Sequence, residues 1–192
     1  MSTQWTIETE QLKHLYTRIL DLDNLDLQSQ YLAPDCRRIH RAIPEAGAKD
    51  KPSIVHDAKV WKQKLEDGEN SKSIAAGWSA KRCATVRPLD YAGGFVDLTD
   101  EQVKASGFSS VEDLKNYASQ NNWTGLRVDT WRAAAKGAKS AQPQGQLYKF
   151  QYWWERRGGQ WLVVLQDVVY AGPLDGTQGQ GGEYVTDENY VR

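Results

Sequence analysis

LYKFQYWWERRGGQWLVVLQDVVYA, residues 147–171, is the stretch of the chain that decides its fold class. Apolar and polar residues alternate over residues 147–155, and a second, mostly apolar run follows over residues 161–171. Alternation with a period of two is typical of β-strands, and a Gly-Gly pair between two such runs is typical of a tight hairpin turn. We therefore predict two antiparallel strands joined by a turn at residues 156–159.

The two faces of the predicted hairpin carry different side chains, because successive residues of a strand point to opposite sides of the sheet. One face of the first strand carries Tyr148, Phe150, Tyr152 and Trp154. The other face carries Lys149, Gln151, Trp153 and Glu155. Tyr and Trp combine a large apolar surface with a polar atom. The first face therefore suits the wall of a pocket for a partly apolar ligand.

The remaining elements are predicted from helical and alternating patterns. They are a helix over residues 7–20, a short helix over 25–32, a strand over 36–43, a third helix over 52–66, and strands over 78–87 and 125–133. Thr6 is the expected N-cap of the first helix, but Thr9 stands where a capping box needs Glu or Gln. Residues 98–122 have the pattern of an insertion with two short helices, and residues 173–192 that of an irregular tail. Helices segregated from antiparallel strands predict an α+β fold, here one domain over residues 1–192.

Composition and charge argue against several classes of protein. The chain has 24 Lys and Arg against 25 Asp and Glu, so its net charge of -1 offers no electrostatic surface for a nucleic acid. Its two cysteines do not make a disulfide framework, and neither stands at metal-ligand spacing, so no metal site is predicted. No stretch approaches the roughly 20 apolar residues of a membrane helix, and no signal-peptide pattern is present. We therefore expect a cytoplasmic protein with no membrane partner.

The order of the elements resembles a known superfamily. Two helices, the turn Ala33-Pro34-Asp35, a short strand, a third helix and the final hairpin YWWERRGGQW are similar to the nuclear-transport-factor-2-like cone. That group includes the ketosteroid isomerases, scytalone dehydratase and the SnoaL-like polyketide cyclases. The likeness covers residues 7–90 and 123–172 and leaves out the insertion and the tail.

This resemblance implies helices packed on a curved antiparallel sheet that forms a cone with an internal pocket. It also implies isomerisation, dehydration or cyclisation of a small-molecule substrate by acid–base chemistry without a cofactor, and a homodimer that pairs through its sheets. Tyr16 matches the helix-one tyrosine that donates to the substrate oxygen, and Tyr152 stands where the isomerases place a second, acidic donor. The chain departs from the family at the aspartate base, where it has His40, five residues after Asp35.

His40 and Asp167 each leave two interpretations open. By the period of two, His40 shares a strand face with Arg38, whose charge would lower the pKa of a histidine that acts as general base. The alternative is a strand-edge histidine with one structural hydrogen bond. Asp167 lies in an apolar run, where a carboxylate needs a partner or a raised pKa. It is either a charge partner in the site or the partner of a strand arginine such as Arg82 or Arg127.

The leading hypothesis is a cofactor-independent isomerase, cyclase or dehydratase that acts on a mid-sized, partly apolar substrate of the secondary-metabolite kind. His40 is the predicted base. Arg38 and Asp167 are its predicted charge partners, and Tyr16 and Tyr152 are the predicted hydrogen-bond donors to a developing oxyanion. Trp78, Trp131 and Trp154 are predicted to shape the pocket, with Asp129 either at its mouth or facing solvent. The alternative hypothesis is a ligand-binding or dimerisation module of the same fold without catalysis.

Overall fold

The computed structural model describes residues 4–19, 30–41, 54–57, 59, 63, 82–133 and 145–186. Within these ranges the longer helices are α1 (Ile7–Ile19), α2 (Asp100–Ala105) and α3 (Val111–Gln120). The strands are β1 (Leu32–His40), β2 (Ile54–Asp57), β3 (Cys83–Leu89), β4 (Thr124–Arg132), β5 (Gln146–Arg157), β6 (Gln160–Pro173) and β7 (Glu183–Tyr184). They form one sheet in the order β2-β1-β6-β5-β4-β3-β7.

This curved sheet with helices packed against it is the α+β fold that the sequence predicts. The pairing is mixed rather than purely antiparallel, because β1 runs parallel to its neighbour β6. The other neighbouring pairs are antiparallel. No helix in the described part of the chain is long and apolar enough to cross a membrane.

The β5–β6 hairpin forms where the sequence predicts it. Its turn contains Gly158 and Gly159, whose φ angles are 58° and 85°. Two successive positive φ angles are the requirement of a type I′ turn, which matches the twist of the strands that it joins. Glycine meets this requirement without the steric strain that a Cβ atom would add.

Two irregularities in β6 change the pairing register between β5 and β6. The pairs beyond them therefore differ from those expected by counting residues from the turn. Trp154 pairs with Val163, but the preceding residue Trp153 pairs with Leu165, so β6 has one extra residue between these pairs. A second shift occurs between Lys149 and Phe150. Because side chains alternate along a strand, one extra residue moves every following side chain of β6 to the other face of the sheet.

The N-terminus of α1 is capped more completely than the sequence suggests. The Thr6 hydroxyl accepts a hydrogen bond from the Thr9 backbone N–H at 3.2 Å, and the Thr9 hydroxyl accepts one from the Thr6 backbone N–H at 2.7 Å. Thr9 thus takes the place of the Glu or Gln of a capping box, because its short side chain reaches back to the cap residue.

Several predicted boundaries differ from the structure. Residues 54–57, predicted as the start of a helix, form β2 and pair with β1. β1 begins at Leu32 rather than at residue 36, and the tail contributes the short strand β7. The predicted helix over residues 25–32 and the residues 78–81 lie largely outside the described ranges. The two helices of the insertion are confirmed.

Different segments of the chain pack against the two faces of the sheet. The face that carries Tyr148, Phe150, Tyr152 and Trp154 packs against α1 and is called the α1 face below. The opposite face carries Gln151 and Trp153 and is covered by residues 90–123, so it is called the insertion face. Trp153 is fully buried there and stacks on Phe95 with ring centroids 4.3 Å apart.

Candidate functional site

Two tyrosines meet on the α1 face, one from the helix and one from the sheet. Tyr16 of α1 and Tyr152 of β5 have ring centroids 5.3 Å apart and an interplanar angle of 58°. Gln166 lies opposite Tyr152 in the register of β5 and β6 and donates a hydrogen bond from its side-chain amide to the Tyr152 hydroxyl. Tyr16 is 3% exposed, whereas Tyr152 is only half-buried. Tyr152 is therefore the more exposed residue of the pair.

Both hydroxyls are protonated at neutral pH. Burial raises the pKa of Tyr16 well above its usual value, with smaller contributions from the charge of Tyr152 and from a hydrogen bond between the two hydroxyls. Burial also raises the pKa of Tyr152, although the charges of Arg38 and Arg82 and the hydrogen bonds with Tyr16 and Gln166 oppose the shift. A neutral phenol that accepts hydrogen bonds from its neighbours can direct its own O–H toward a ligand atom.

Arginines surround this tyrosine pair. Arg38 lies opposite Gln166 in the register of β1 and β6. Burial lowers the pKa of Arg82, and the nearby hydroxyls of Tyr16, Tyr148 and Tyr152 oppose that shift. Arg82 is therefore within electrostatic range of all three tyrosines of the α1 face.

A third arginine extends the group along the sheet. Arg132 is 4% exposed, and its Nε donates to the Gln146 side-chain oxygen at 3.3 Å. The Gln146 amide in turn donates to the Tyr148 hydroxyl at 2.7 Å. Burial and the positive charge of Arg82 lower the pKa of Arg132 to about 10. Positive charge is thus concentrated on the α1 face from Tyr152 to Tyr148.

The backbone of β1 places His40 on the same face. His40 pairs with Val168 of β6, two residues beyond the pair of Arg38 and Gln166, so His40 and Arg38 share a face as the sequence predicts. The side chain of His40 lies outside the described part of the chain, and so does Trp78. The role of His40 as a base stays a prediction.

The structure does not bring Asp167 to the tyrosine pair. Asp167 is fully buried on the insertion face, where it pairs in register with Gln151. Its carboxylate accepts hydrogen bonds from Arg41 Nε at 2.9 Å and 3.1 Å and a further one from Arg41 Nη2. Burial raises the pKa of Asp167, and the hydrogen bonds and charge of Arg41 oppose the shift, with a smaller contribution from Arg127. The partner of this carboxylate is therefore Arg41 and neither Arg82 nor Arg127.

Asp129 and Trp131 also lie on the insertion face, away from Tyr16 and Tyr152. Asp129 accepts a hydrogen bond from Arg127 Nε at 3.2 Å and another from the Gly179 backbone N–H at 3.1 Å. Trp131 packs edge-on against Tyr184, with ring centroids 6.1 Å apart. These residues hold the C-terminal segment against the sheet.

Trp154 is the predicted tryptophan that does lie on the α1 face. Its ring centroid is 6.3 Å from that of Tyr152, and it is fully buried. Trp154 therefore packs beside Tyr152 and is not exposed to solvent.

A groove of about 620 Å³ lies elsewhere, between the start of α1 and the segments that follow β3 and α3. Tyr91, Trp123 and Trp161 line it, and none of the predicted site residues does. Among the described residues, no group of three or more His, Cys, Asp or Glu side chains is arranged to hold a metal ion.

The sequence patterns do not identify Gln166, Arg132 or the contribution of Arg82 to the site. Counted from the turn, Leu165 would stand opposite Tyr152, and the extra residue in β6 replaces it with Gln166. The signal available in the sequence is a polar glutamine inside an apolar run, directly before Asp167. Arg82 precedes the alternating stretch of β3 by one residue, and its sequence position predicts only a possible pairing with Asp167.

The described residues form a curved mixed sheet with helices packed against it, and tyrosine and arginine side chains lie together on its α1 face. The family of SnoaL-like domains matches residues 1–187, and the chain belongs to this family. No curated protein matches the sequence.

Similar solved structures have low sequence identity. One is an NTF2-like protein with a cystatin-like fold from Novosphingobium aromaticivorans, with 13% identity and a TM-score of 0.47, covering 88% of this chain and 82% of the other. A protein of unknown function with a cystatin-like fold from Nostoc punctiforme has 7% identity and a TM-score of 0.46, covering 90% and 96%. A type 2 hexachlorocyclohexane dehydrochlorinase, LinA, has 17% identity and a TM-score of 0.34, covering 86% and 94%.

Proposed function

We propose that this chain is a small-molecule enzyme of the isomerase or lyase kind that works by acid–base chemistry on the α1 face. The observation that carries the proposal is the group of Tyr16, Tyr152 and Gln166. The Tyr152 hydroxyl accepts a hydrogen bond from the buried Gln166 amide, and its own proton is proposed to be donated to a ligand atom. Such a donor is suited to an oxygen that gains negative charge when a proton leaves the adjacent carbon.

The proposed roles are divided among α1, β1, β5 and β6. Tyr152 donates to the developing oxyanion, and Tyr16 and Gln166 hold it in place rather than donating to the substrate themselves. Arg38, which acts on Tyr152 electrostatically, adds positive charge beside that oxygen. His40, placed on the same face by the register of β1, is the proposed base. The step needs no cofactor, and we further propose a cytoplasmic homodimer that acts in the biosynthesis of a secondary metabolite.

A series of phenols with different acidities tests the donor before the substrate is known. A bound phenolate presents an oxyanion, and its ultraviolet absorbance reports both binding and ionisation. Tyr152→Phe is expected to weaken phenolate binding about 10- to 100-fold, as for the loss of a hydrogen bond to a charged group. Tyr170→Phe is the matched control, because the Tyr170 hydroxyl lies near the end of β6 and donates to the Pro173 carbonyl. Equal affinities of the wild type and Tyr152→Phe would remove Tyr152 from the mechanism.

The alternative function, a binding or dimerisation module, predicts a different pattern. Phenols or other aromatic ligands would bind with Tyr152-dependent affinity, but no ligand of a broad carbonyl-compound screen would be turned over. When a substrate is found, a folded His40→Ala variant that keeps the wild-type rate would exclude His40 as the base.

A further inference from the structure

Two arginines of the α1 face lie at the same end of the sheet. In the register of β3 and β4, Cys83 pairs with Trp131, so Arg82 and Arg132 stand at the same end of these two strands. Both act on Tyr148, and the charge of Arg82 acts on Arg132. The two side chains therefore lie within electrostatic range of each other at one end of the α1 face, where burial makes like charges repel more strongly than in water.

Among the described side chains, two carboxylates of the central strands are engaged by other arginines. Asp167 pairs with Arg41 and Asp129 with Arg127, both on the insertion face. The described groups that raise the pKa of Arg82 are three tyrosines and include no carboxylate. Buried positive charge is unfavourable unless a negative partner compensates it.

A second, independent observation comes from Thr130. Thr130 lies between Ala84 and Tyr148 in the sheet, on the α1 face and two residues from Arg132. It is 1% exposed, and its hydroxyl has no hydrogen-bond partner. A buried hydroxyl without a partner is unusual in a folded protein, and a bound ligand group would supply the missing partner.

We propose that the α1 face binds an organic anion, with a carboxylate held by Arg82, Arg132 and the Thr130 hydroxyl while the reacting oxygen contacts Tyr152. The inference rests on the proposed function, because it assigns the substrate class to the same site. Tyr148 and Tyr152 are four residues apart on β5, so the two ends of the site are about 13 Å apart along the strand. This span and the aromatic wall between its ends fit an aromatic or polycyclic acid of moderate size.

The test compares a carboxylate with its neutral isostere by calorimetry, using 2-naphthoate and 2-naphthamide. The wild type is expected to bind the carboxylate about 10- to 100-fold more tightly, the range of hydrogen bonds to a charged group. Arg82→Met should remove this preference without lowering the melting temperature of the free protein, since the arginine is repelled there by its neighbour. Arg87→Met is the matched control, because Arg87 is an exposed arginine of β3, the strand that follows Arg82, and it points to the insertion face.

Thr130→Val provides a variant that conserves shape. It should weaken carboxylate binding several-fold and leave the melting temperature unchanged or higher, because an unpaired hydroxyl is lost. The proposal is overturned if the wild type binds the carboxylate no better than the amide, if it shows no carboxylate binding at millimolar concentration, or if folded Arg82→Met keeps the preference.

The two proposals fail separately. If phenolate binding depends on Tyr152 but carboxylate preference is absent, the anion site is wrong and the oxyanion donor stands. If carboxylate preference depends on Arg82 but Tyr152→Phe binds phenolates like the wild type, the donor is wrong and the anion site stands.

Discussion

Removal of one partner from the buried ion pair of Arg41 and Asp167 should lower the free energy of unfolding. Asp167 is fully buried and accepts three hydrogen bonds from Arg41, which also donates from Nη1 to the Val96 carbonyl at 2.6 Å. Arg41→Met leaves a carboxylate without its partner in the interior. Breaking a buried pair in this way costs about 3–5 kcal/mol, because the remaining charge is desolvated and uncompensated. For a chain of 192 residues this corresponds to a drop in melting temperature of roughly 6–20 °C.

Urea denaturation of four proteins, the wild type, Arg41→Met, Asp167→Leu and the double variant, measures the coupling between the two residues. The double variant is expected to recover most of the lost stability, since apolar side chains of similar volume often replace a buried ion pair at little net cost. The reasoning is refuted if Arg41→Met unfolds at the wild-type urea concentration. It is also refuted if the losses of the single variants simply add in the double variant.

Two further predictions concern packing and pH. A Cβ atom at Gly94 would lie 2.2 Å from Trp153 Cζ2, so Gly94→Ala should destabilise by about 1–3 kcal/mol in thermal unfolding. Gly93→Ala, whose Cβ would meet a flexible side chain at 3.2 Å, should cost less, and equal losses would contradict the packing argument. Hydrogen bonds from Arg157 lower the pKa of Asp35 from 3.8, and Arg157 acts likewise on a second carboxylate. A lowered carboxylate pKa gives stability that is present above the unfolded value and lost as pH falls through the folded value. The stability of Arg157→Gln should therefore fall less between pH 5 and 2 than that of the wild type, and parallel pH profiles would show that the ion pair contributes nothing.

The local elements with strong signals were predictable from the sequence. The hairpin turn follows from Gly158 and Gly159, and the first helix follows from its apolar period and Thr6. The two helices of the insertion follow directly after Thr99 and Ser110, whose side chains cap their N-termini. In each case residues a few positions apart determine the structure, so sequence spacing is enough.

Residues 54–57 show where local pattern fails. Ile54 and Val55 fit the apolar stripe of a helix that continues to residue 66, and the same pair suits a strand. The structure has a strand here because β1 offers hydrogen-bonding partners to it, from Arg37 to His40. That preference comes from a pairing between distant segments and is absent from the window of sequence around Ile54.

The sequence by itself determined the class of fold, the two faces of β5 and the presence of Tyr16, Tyr152 and Arg38 on elements that converge. Only the tertiary structure decided which residues of β6 share the face of Tyr152. One extra residue in that strand takes Asp167 to the insertion face, where it meets Arg41, and takes Gln166 to Tyr152. The period of two predicts which side chains of one strand lie together, but the register between strands is set by packing across the whole sheet. A shift of a single residue therefore exchanges one candidate site for another.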